Sequence, residues 1–135
     1  MRPAAIIVCG LFLAACGSDA EQDGGGQTTP GPEGASLTVT LRPEGKDGPT
    51  RVRRIECVRL GEGSALCRRL EGLTRARLAP VPAATACAEL YGGPATARVS
   101  GELRGEKVDA RFDRVNGCEI NRWDENRALL GRASL

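Results

Sequence analysis

The chain contains no histidine, and this absence restricts the chemistry available to it. Without histidine a Ser-His-Asp triad cannot form, and the usual proton-transfer group near neutral pH is missing. The carboxylates occur singly along strands and turns, which is typical of solvated surface, so we expect no enzyme and no cofactor. No two cysteines have the Cys-x-x-Cys spacing either, so we expect no zinc or other metal site.

Aromatic residues are also scarce. Beyond the N-terminal region they are Tyr91, Phe112 and Trp123, so any core must consist mostly of leucine, valine and alanine. The segment from Ala35 to Leu135 has about 100 residues, the size of one small domain. A core this thin would benefit from covalent cross-links.

The first residues read as a bacterial lipoprotein signal. Arg2 precedes an apolar stretch over 4–13, which is too short to cross a bilayer as a permanent helix. Small residues then precede Cys16, the pattern in which the thiol is lipidated and the cysteine begins the mature chain. We expect a signal peptide over 1–15 and a lipidated Cys16 with a flexible linker over 16–34. A plain secretory signal is the alternative.

With this signal, the folded domain is expected over 35–135. The protein is expected to be exported and held by lipid at the outer face of the bacterial cell membrane. Several acyl chains anchor durably because each buried methylene contributes about 0.8 kcal/mol. Four cysteines remain for the domain, and in an exported chain an even count indicates two disulfides. Four cysteines allow three connectivities. We favour Cys57–Cys67 and Cys87–Cys118 because each joins neighbouring elements.

The charges give no sign of nucleic-acid binding. The formal net charge is +2, and basic residues are interspersed with acidic ones along the chain. The cluster over 51–54, which holds three arginines, fits the solvated face of a strand better than a binding patch.

Periodicity predicts mostly antiparallel sheet with one helix. Ser64 caps a helix on which Leu66, Leu70 and Leu73 share a face, and Gly72 ends it. In the second strand Val52 falls out of phase, which predicts a bulge or a late start. Alternating apolar residues predict strands, the last of them the weakest, over 37–41, 51–59, 97–103, 108–112 and 127–131.

Several motifs together resemble the Streptomyces subtilisin inhibitor family. The chain shows Leu37-Thr38-Val39-Thr40, a cysteine pair around a helix, and Cys87-Ala88-Glu89-Leu90-Tyr91. A hairpin and the motif Asn116-Gly117-Cys118-Glu119-Ile120-Asn121 follow. The similarity extends over about residues 36–131 in order and in most spacings. It implies an α+β fold, an antiparallel five-stranded sheet with one or two helices on one face.

The resemblance also implies a function, inhibition of serine proteases by a rigid substrate-like loop. By position the scissile-type bond is Glu89–Leu90, and Asn116 matches the family asparagine that supports the loop from beneath. The implied partner is an extracellular serine protease, subtilisin-like or glutamate-specific. We expect the protein to contact the membrane only through its lipid anchor. The formation of a homodimer through the sheet is left open. The residues of the implied reactive loop are Cys87, Ala88, Glu89, Leu90 and Tyr91.

Two positions in the loop depart from the family pattern. Ala88 stands where proline or threonine is usual, and Gly92-Gly93 precede Pro94 where one residue is usual. Both departures predict a looser loop. The alternative function is therefore a non-inhibitory envelope protein-binding module on the same fold.

Overall fold

The computed structural model describes residues 30–132. The predicted signal peptide over 1–15, the lipidated Cys16 and most of the linker lie outside the described residues. No helix within 30–132 has the length and apolar character needed to cross a membrane. The described elements, in chain order, are β1 (Ala35–Arg42), β2 (Arg51–Cys57), α1 (Ala65–Arg69), α2 (Arg75–Leu78), β3 (Thr96–Leu103), β4 (Glu106–Phe112), α3 (Gly117–Glu125) and α4 (Arg127–Leu130).

The protein is α+β, with two disulfides and an antiparallel sheet in the strand order β2-β1-β3-β4. Four strands, rather than five, form the sheet of residues 30–132. The prediction of a last strand over 127–131 is wrong. Most of this segment forms helix α4, in which Leu129 and Leu130 are both buried. Adjacent buried residues fit a short helix, because a strand would turn one of the two away from the core.

One face of the sheet forms the core. Alternate residues of the central strand β1, such as Leu37 and Val39, are nearly inaccessible. Leu78, Trp123 and Leu129 from three of the helices join the same apolar cluster. The opposite face carries residues such as Thr38 and Arg98, which are partly or fully exposed. The sheet therefore has one buried and one open face, as alternation in antiparallel strands allows.

The predicted β3–β4 hairpin and the alternation of its two strands are confirmed. β3 and β4 pair from Leu103↔Glu106 to Ala97↔Phe112, joined by a two-residue turn. Arg104 and Gly105 in that turn both have positive φ, 51° and 78°, as the turn favoured by the sheet twist requires. The β1–β2 register is regular from Ala35↔Cys57 to Leu41↔Arg51, so the out-of-phase Val52 marks no bulge. It lies on the open face and is exposed.

The helical segment after β2 is shorter than predicted. Ser64 caps α1 as expected, with its hydroxyl accepting from the amide of Cys67 at 3.2 Å. α1 ends at Arg69, and a second short helix, α2, begins after Thr74, whose hydroxyl accepts from Arg77 N at 3.4 Å. Leu66, Leu70 and Leu73 still face the core.

The chain enters the sheet at the end far from residues 85–94. The backbone carbonyl of Glu33 accepts a hydrogen bond from the amide of Leu60, and the carbonyl of Gly34 accepts one from the amide of Arg104, both at 2.8 Å. These two hydrogen bonds join Glu33 and Gly34 to the sheet and to the segment after β2. At the other end of the sheet, Arg42 pairs with Thr96, the first residue of β3.

The open face carries a two-pronged ion pair. Arg98 donates to both carboxylate oxygens of Asp109, Nε to Oδ1 at 2.8 Å and Nη2 to Oδ2 at 2.6 Å. These hydrogen bonds hold the pKa of Asp109 below its ordinary value, and the positive charge of Arg98 acts in the same direction.

We expect Asp109→Asn to remove a small pH-dependent part of the stability. Because the folded-state pKa of Asp109 is depressed, its contribution is complete above the unfolded value of about 3.9 and fades as the pH falls through the folded value. Urea unfolding of both proteins from neutral pH to about pH 2 checks this. The difference in the free energy of unfolding between wild type and Asp109→Asn should shrink as the pH falls toward 2. A difference that stays constant with pH would contradict a depressed pKa for Asp109 in the folded state.

Candidate functional site

The segment of residues 85–93 between α2 and β3 forms neither helix nor strand. Its centre is exposed: Leu90 retains 57% and Tyr91 71% of its accessible surface, and Ala88 and Glu89 are also exposed. Cys87, at the root of the loop, is partly buried. The loop lies at the Arg42–Thr96 end of the sheet, because it leads directly into β3.

The disulfide pairing expected from sequence is confirmed. Cys87 is bonded to Cys118, the second residue of α3, with 5.4 Å between their Cα atoms. Cys57 is bonded to Cys67 and ties the end of β2 to α1. The first of these bonds joins the loop root to the helix that follows β4.

Two backbone hydrogen bonds hold the loop on either side of its exposed centre. The amide of Gly117 donates to the carbonyl of Ala88 at 2.9 Å, and the amide of Gly92 donates to the carbonyl of Arg114 at 2.8 Å. The two partners of the loop, Arg114 and Gly117, lie in the stretch that leads from the end of β4 into the first turn of α3. Only Glu89, Leu90 and Tyr91 lie between the two anchor points.

The exposed centre is bent at Glu89. The amide of Leu90 donates to the carbonyl of Ala88 at 2.8 Å, which closes a three-residue turn around Glu89. The carbonyl of Ala88 thus accepts from both Leu90 and Gly117. The peptide bond Glu89–Leu90 lies inside this turn, so the local hydrogen bond spans it.

Gly92 and Gly93 have separate roles, and Gly92 does not loosen the loop as the sequence predicted. A Cβ on Gly92 would lie 2.8 Å from Ile120 Cγ1 and 3.0 Å from Arg114 Nε, so glycine lets the chain pack directly on α3. Gly93 has φ of +101°, a conformation that residues with a Cβ rarely adopt. Gly92 is therefore a tight anchor, and Gly93 makes the turn that leads to Pro94.

The side chain of Asn116, which was expected to support the loop from beneath, instead caps helix α3. Its side-chain Oδ1 accepts from the amide of Glu119 at 3.0 Å and caps α3, and within 30–132 no hydrogen bond joins this side chain to the loop. The bond from beneath comes instead from the backbone amide of Gly117. Asn116 thus caps the helix whose first two residues, Gly117 and Cys118, reach the loop.

The structure adds an apolar neighbour that the sequence did not reveal. Val115, in the segment that borders the loop, keeps 56% of its surface exposed. Of the five large apolar residues that are exposed within 30–132, three belong to the loop and its border: Leu90, Tyr91 and Val115. Residues 113–116 have no periodic pattern, so sequence offered no signal for this. The loop and its border together present one partly apolar surface.

The cysteines and carboxylates near the loop form no metal-binding cluster within the part of the chain that the structure describes. Within residues 30–132 no three histidine, cysteine, aspartate or glutamate residues cluster so as to bind a metal ion. Both cysteines nearby are in a disulfide. The arrangement is that of an exposed peptide segment anchored on both sides by backbone hydrogen bonds.

Comparison of the chain with protein-family models, with curated proteins and with solved structures gave no match in any of the three.

Proposed function

We propose that this protein inhibits a serine protease by presenting residues 88–92 as a substrate-like loop. The observation that carries the proposal is the pair of anchors, Ala88 O to Gly117 N and Gly92 N to Arg114 O, with the exposed Glu89–Leu90 bond between them. A loop already held in place loses little conformational entropy on binding, so affinity comes from preorganisation. The resemblance to the Streptomyces subtilisin inhibitor family supports the same function, and with it a serine protease as the partner.

Resistance to turnover has a physical basis in this geometry. When a protease cuts Glu89–Leu90, the two pieces stay joined through Cys87–Cys118, because one cysteine lies on each side of the cut. The freed amine of Leu90 also stays near the acyl group, because Gly92 is held on Arg114 O. The amine can attack the acyl-enzyme and re-form the peptide bond before water does. Slow net hydrolysis follows from this competition.

The exposed carboxylate of Glu89 supports one class of protease as the preferred target. A charged side chain enters an apolar pocket only at a large desolvation cost, whereas a basic pocket supplies a partner. We therefore propose a glutamate-accepting serine protease as the preferred target, with subtilisin-like enzymes bound more weakly.

The first experiment titrates the chain from Gly17 onward against a glutamate-specific serine protease and a subtilisin. We expect Glu89→Leu to weaken inhibition of the first and strengthen that of the second, each by about tenfold or more, which corresponds to about 1.4 kcal/mol. Residual activity at equilibrium measures both. Glu89→Gln separates the charge from the size of the side chain.

Glu125→Leu is the matched control, since Glu125 is an exposed glutamate in α3 away from the loop centre. It should leave both inhibition constants unchanged. If Glu89→Leu changes neither constant while the wild-type protein inhibits, another segment makes the contact.

A non-inhibitory binding module is the second candidate, favoured by the exposed charge of Glu89 beside the apolar Leu90 and Tyr91. Prolonged exposure to a protease separates the two. An inhibitory loop survives or is cut only at Glu89–Leu90, whereas a module loop is cut at several bonds.

We propose in addition that the protein is exported and held at the membrane by lipid on Cys16. The support is the sequence alone, with small residues ahead of Cys16 and a glycine-rich run behind it. Metabolic labelling with a fatty acid and its loss in Cys16→Ser test this independently of inhibition.

A further inference from the structure

Arg122 on α3 is a buried arginine with several partners. Only 8% of its surface is accessible, and its guanidinium lies over the ring of Phe112 at 4.0 Å from the centroid. Nη1 donates to Glu119 Oε2 at 2.8 Å, in a pair whose side chains are 9% and 16% exposed. The charge is therefore balanced by a carboxylate on the same helix, and the aromatic face adds a further attraction.

Two of its hydrogen bonds leave the helix. Nη2 donates to the carbonyl of Leu78 at 2.8 Å, and Nη1 donates to the carbonyl of Arg111 at 2.9 Å. Leu78 is the last residue of α2, directly before the segment that leads into the loop. Arg111 is the next-to-last residue of β4, directly before the segment that borders the loop.

Arg122 thus joins the three segments that frame the loop: the one that enters it, the one that borders it, and the helix that carries Gly117 and Cys118. The disulfide fixes the loop root at one point only. The distance from Arg114 O to the loop depends on where β4 ends relative to α3, and the Arg111–Arg122 contact sets that relation. None of the hydrogen bonds of the Arg122 side chain within residues 30–132 goes to the exposed residues of the loop.

Stability alone does not account for a charge at this position. Buried ion pairs are often replaced by apolar residues of similar volume with no loss of stability, because the desolvation cost offsets their attraction. An arginine, however, supplies several donors in one rigid plane and can fix the relative positions of several acceptors. Lysine would offer one ammonium group and could not span the same carbonyls with the same geometry.

We infer that Arg122 is a positioning residue for the proposed inhibitory loop, and the inference rests on that proposed function. It keeps the Ala88–Gly117 and Gly92–Arg114 anchors in register by fixing α2, β4 and α3 to one another. Its loss should loosen the anchors while the sheet and its core remain folded.

The test uses the chain from Gly17 onward with three variants. Arg122→Met is made together with Glu119→Gln, so that no unpaired carboxylate stays behind. Arg122→Lys keeps the charge but loses the planar donor set. Arg104→Met is the matched control, because the Arg104 guanidinium also donates to two carbonyls, those of Glu71 and Leu73, at the far end of the sheet.

Two measurements separate positioning from general stability. Amide hydrogen exchange compares the anchors Gly92 and Gly117 with the sheet amides of Val39 and Val99. Single-site cleavage at Glu89–Leu90 by an excess of protease is followed in parallel. In the double variant we expect the anchor amides to exchange about tenfold faster and cleavage to accelerate similarly, with little change in the sheet amides. Arg122→Lys should behave like the double variant, and Arg104→Met like wild type.

Equal acceleration of anchor and sheet amides would overturn the inference, because Arg122 would then serve stability alone. Unchanged anchor amides would overturn it as well. The two proposals fail separately: a wild-type protein that inhibits no protease removes the inhibitory function, while the exchange pattern still reports whether Arg122 holds the loop.

Discussion

Replacing both Cys87 and Cys118 with serine is expected to lower the free energy of unfolding by roughly 4 kcal/mol, the loop-entropy value for residues that are 31 apart. The same change should weaken inhibition on the order of 100-fold, because the loop root is released and a cut loop is no longer held together. Denaturant unfolding measures the first effect, and titration of a protease measures the second.

The matched control is the other disulfide. Cys57→Ser with Cys67→Ser opens a link of separation 10, which contributes roughly 3 kcal/mol by the same estimate. This bond lies at the far end of the sheet, so inhibition by the folded fraction should remain near the wild-type value. Equal losses of inhibition in both double variants, compared at equal folded fraction, would show that the loop needs only a stable domain.

Gly92→Val is expected to weaken inhibition by about tenfold to 100-fold and to destabilise the domain by about 1–3 kcal/mol, the usual cost of overpacking. A Cβ here meets Ile120 Cγ1 at 2.8 Å, so either α3 or the loop must move, and a movement of the loop would break the Gly92–Arg114 hydrogen bond. Inhibition titration and thermal unfolding are the measurements.

A second substitution makes the Gly92 prediction specific. Ile120→Ala removes both side-chain atoms of Ile120 that would crowd the new Cβ, so the pair Gly92→Val with Ile120→Ala should recover part of the lost inhibition. Gly31→Ala is the neutral control, because nothing lies within 4 Å of a Cβ at that position. A double variant as weak as Gly92→Val alone would contradict crowding by Ile120 as the reason that a side chain at position 92 weakens inhibition.

Local signals in the sequence were sufficient for much of the sheet. The β3–β4 hairpin alternates cleanly and has a two-residue turn, so its register follows from the pattern. Ser64 could be predicted as a helix cap because its hydroxyl bonds to an amide only three residues along the chain, that of Cys67. The disulfides followed from an even count of cysteines that lie on neighbouring elements.

Helix α3 was missed although a local signal was present. Asn116 with Glu119 three residues later is a helix-start pattern, and the cap bond between them forms. The motif around Cys118 was read by its resemblance instead. For 127–131 no local signal could decide, because a segment of five residues is too short to distinguish the helical period from the strand period.

The role of Arg122 lay beyond any local pattern. An arginine between Asn121 and Trp123 reads as a solvated position, and its burial depends on carbonyls that are 44 and 11 residues away in the chain. The tightness of Gly92 has the same origin, since the crowding atoms belong to Ile120 and Arg114. Contacts of this kind exist only once the elements have packed.

The position of Glu33 and Gly34 has a practical consequence for anyone who wishes to use the domain as a display scaffold. These residues join the sheet at the end where β1 begins, and the loop projects beyond the end where β1 stops, an eight-residue strand or about 25 Å away. A bead, a phage coat protein or a fluorescent domain fused ahead of Pro30 would therefore leave the loop unobstructed. New peptide sequences at residues 89–91 could then be selected against other proteases without redesigning the attachment.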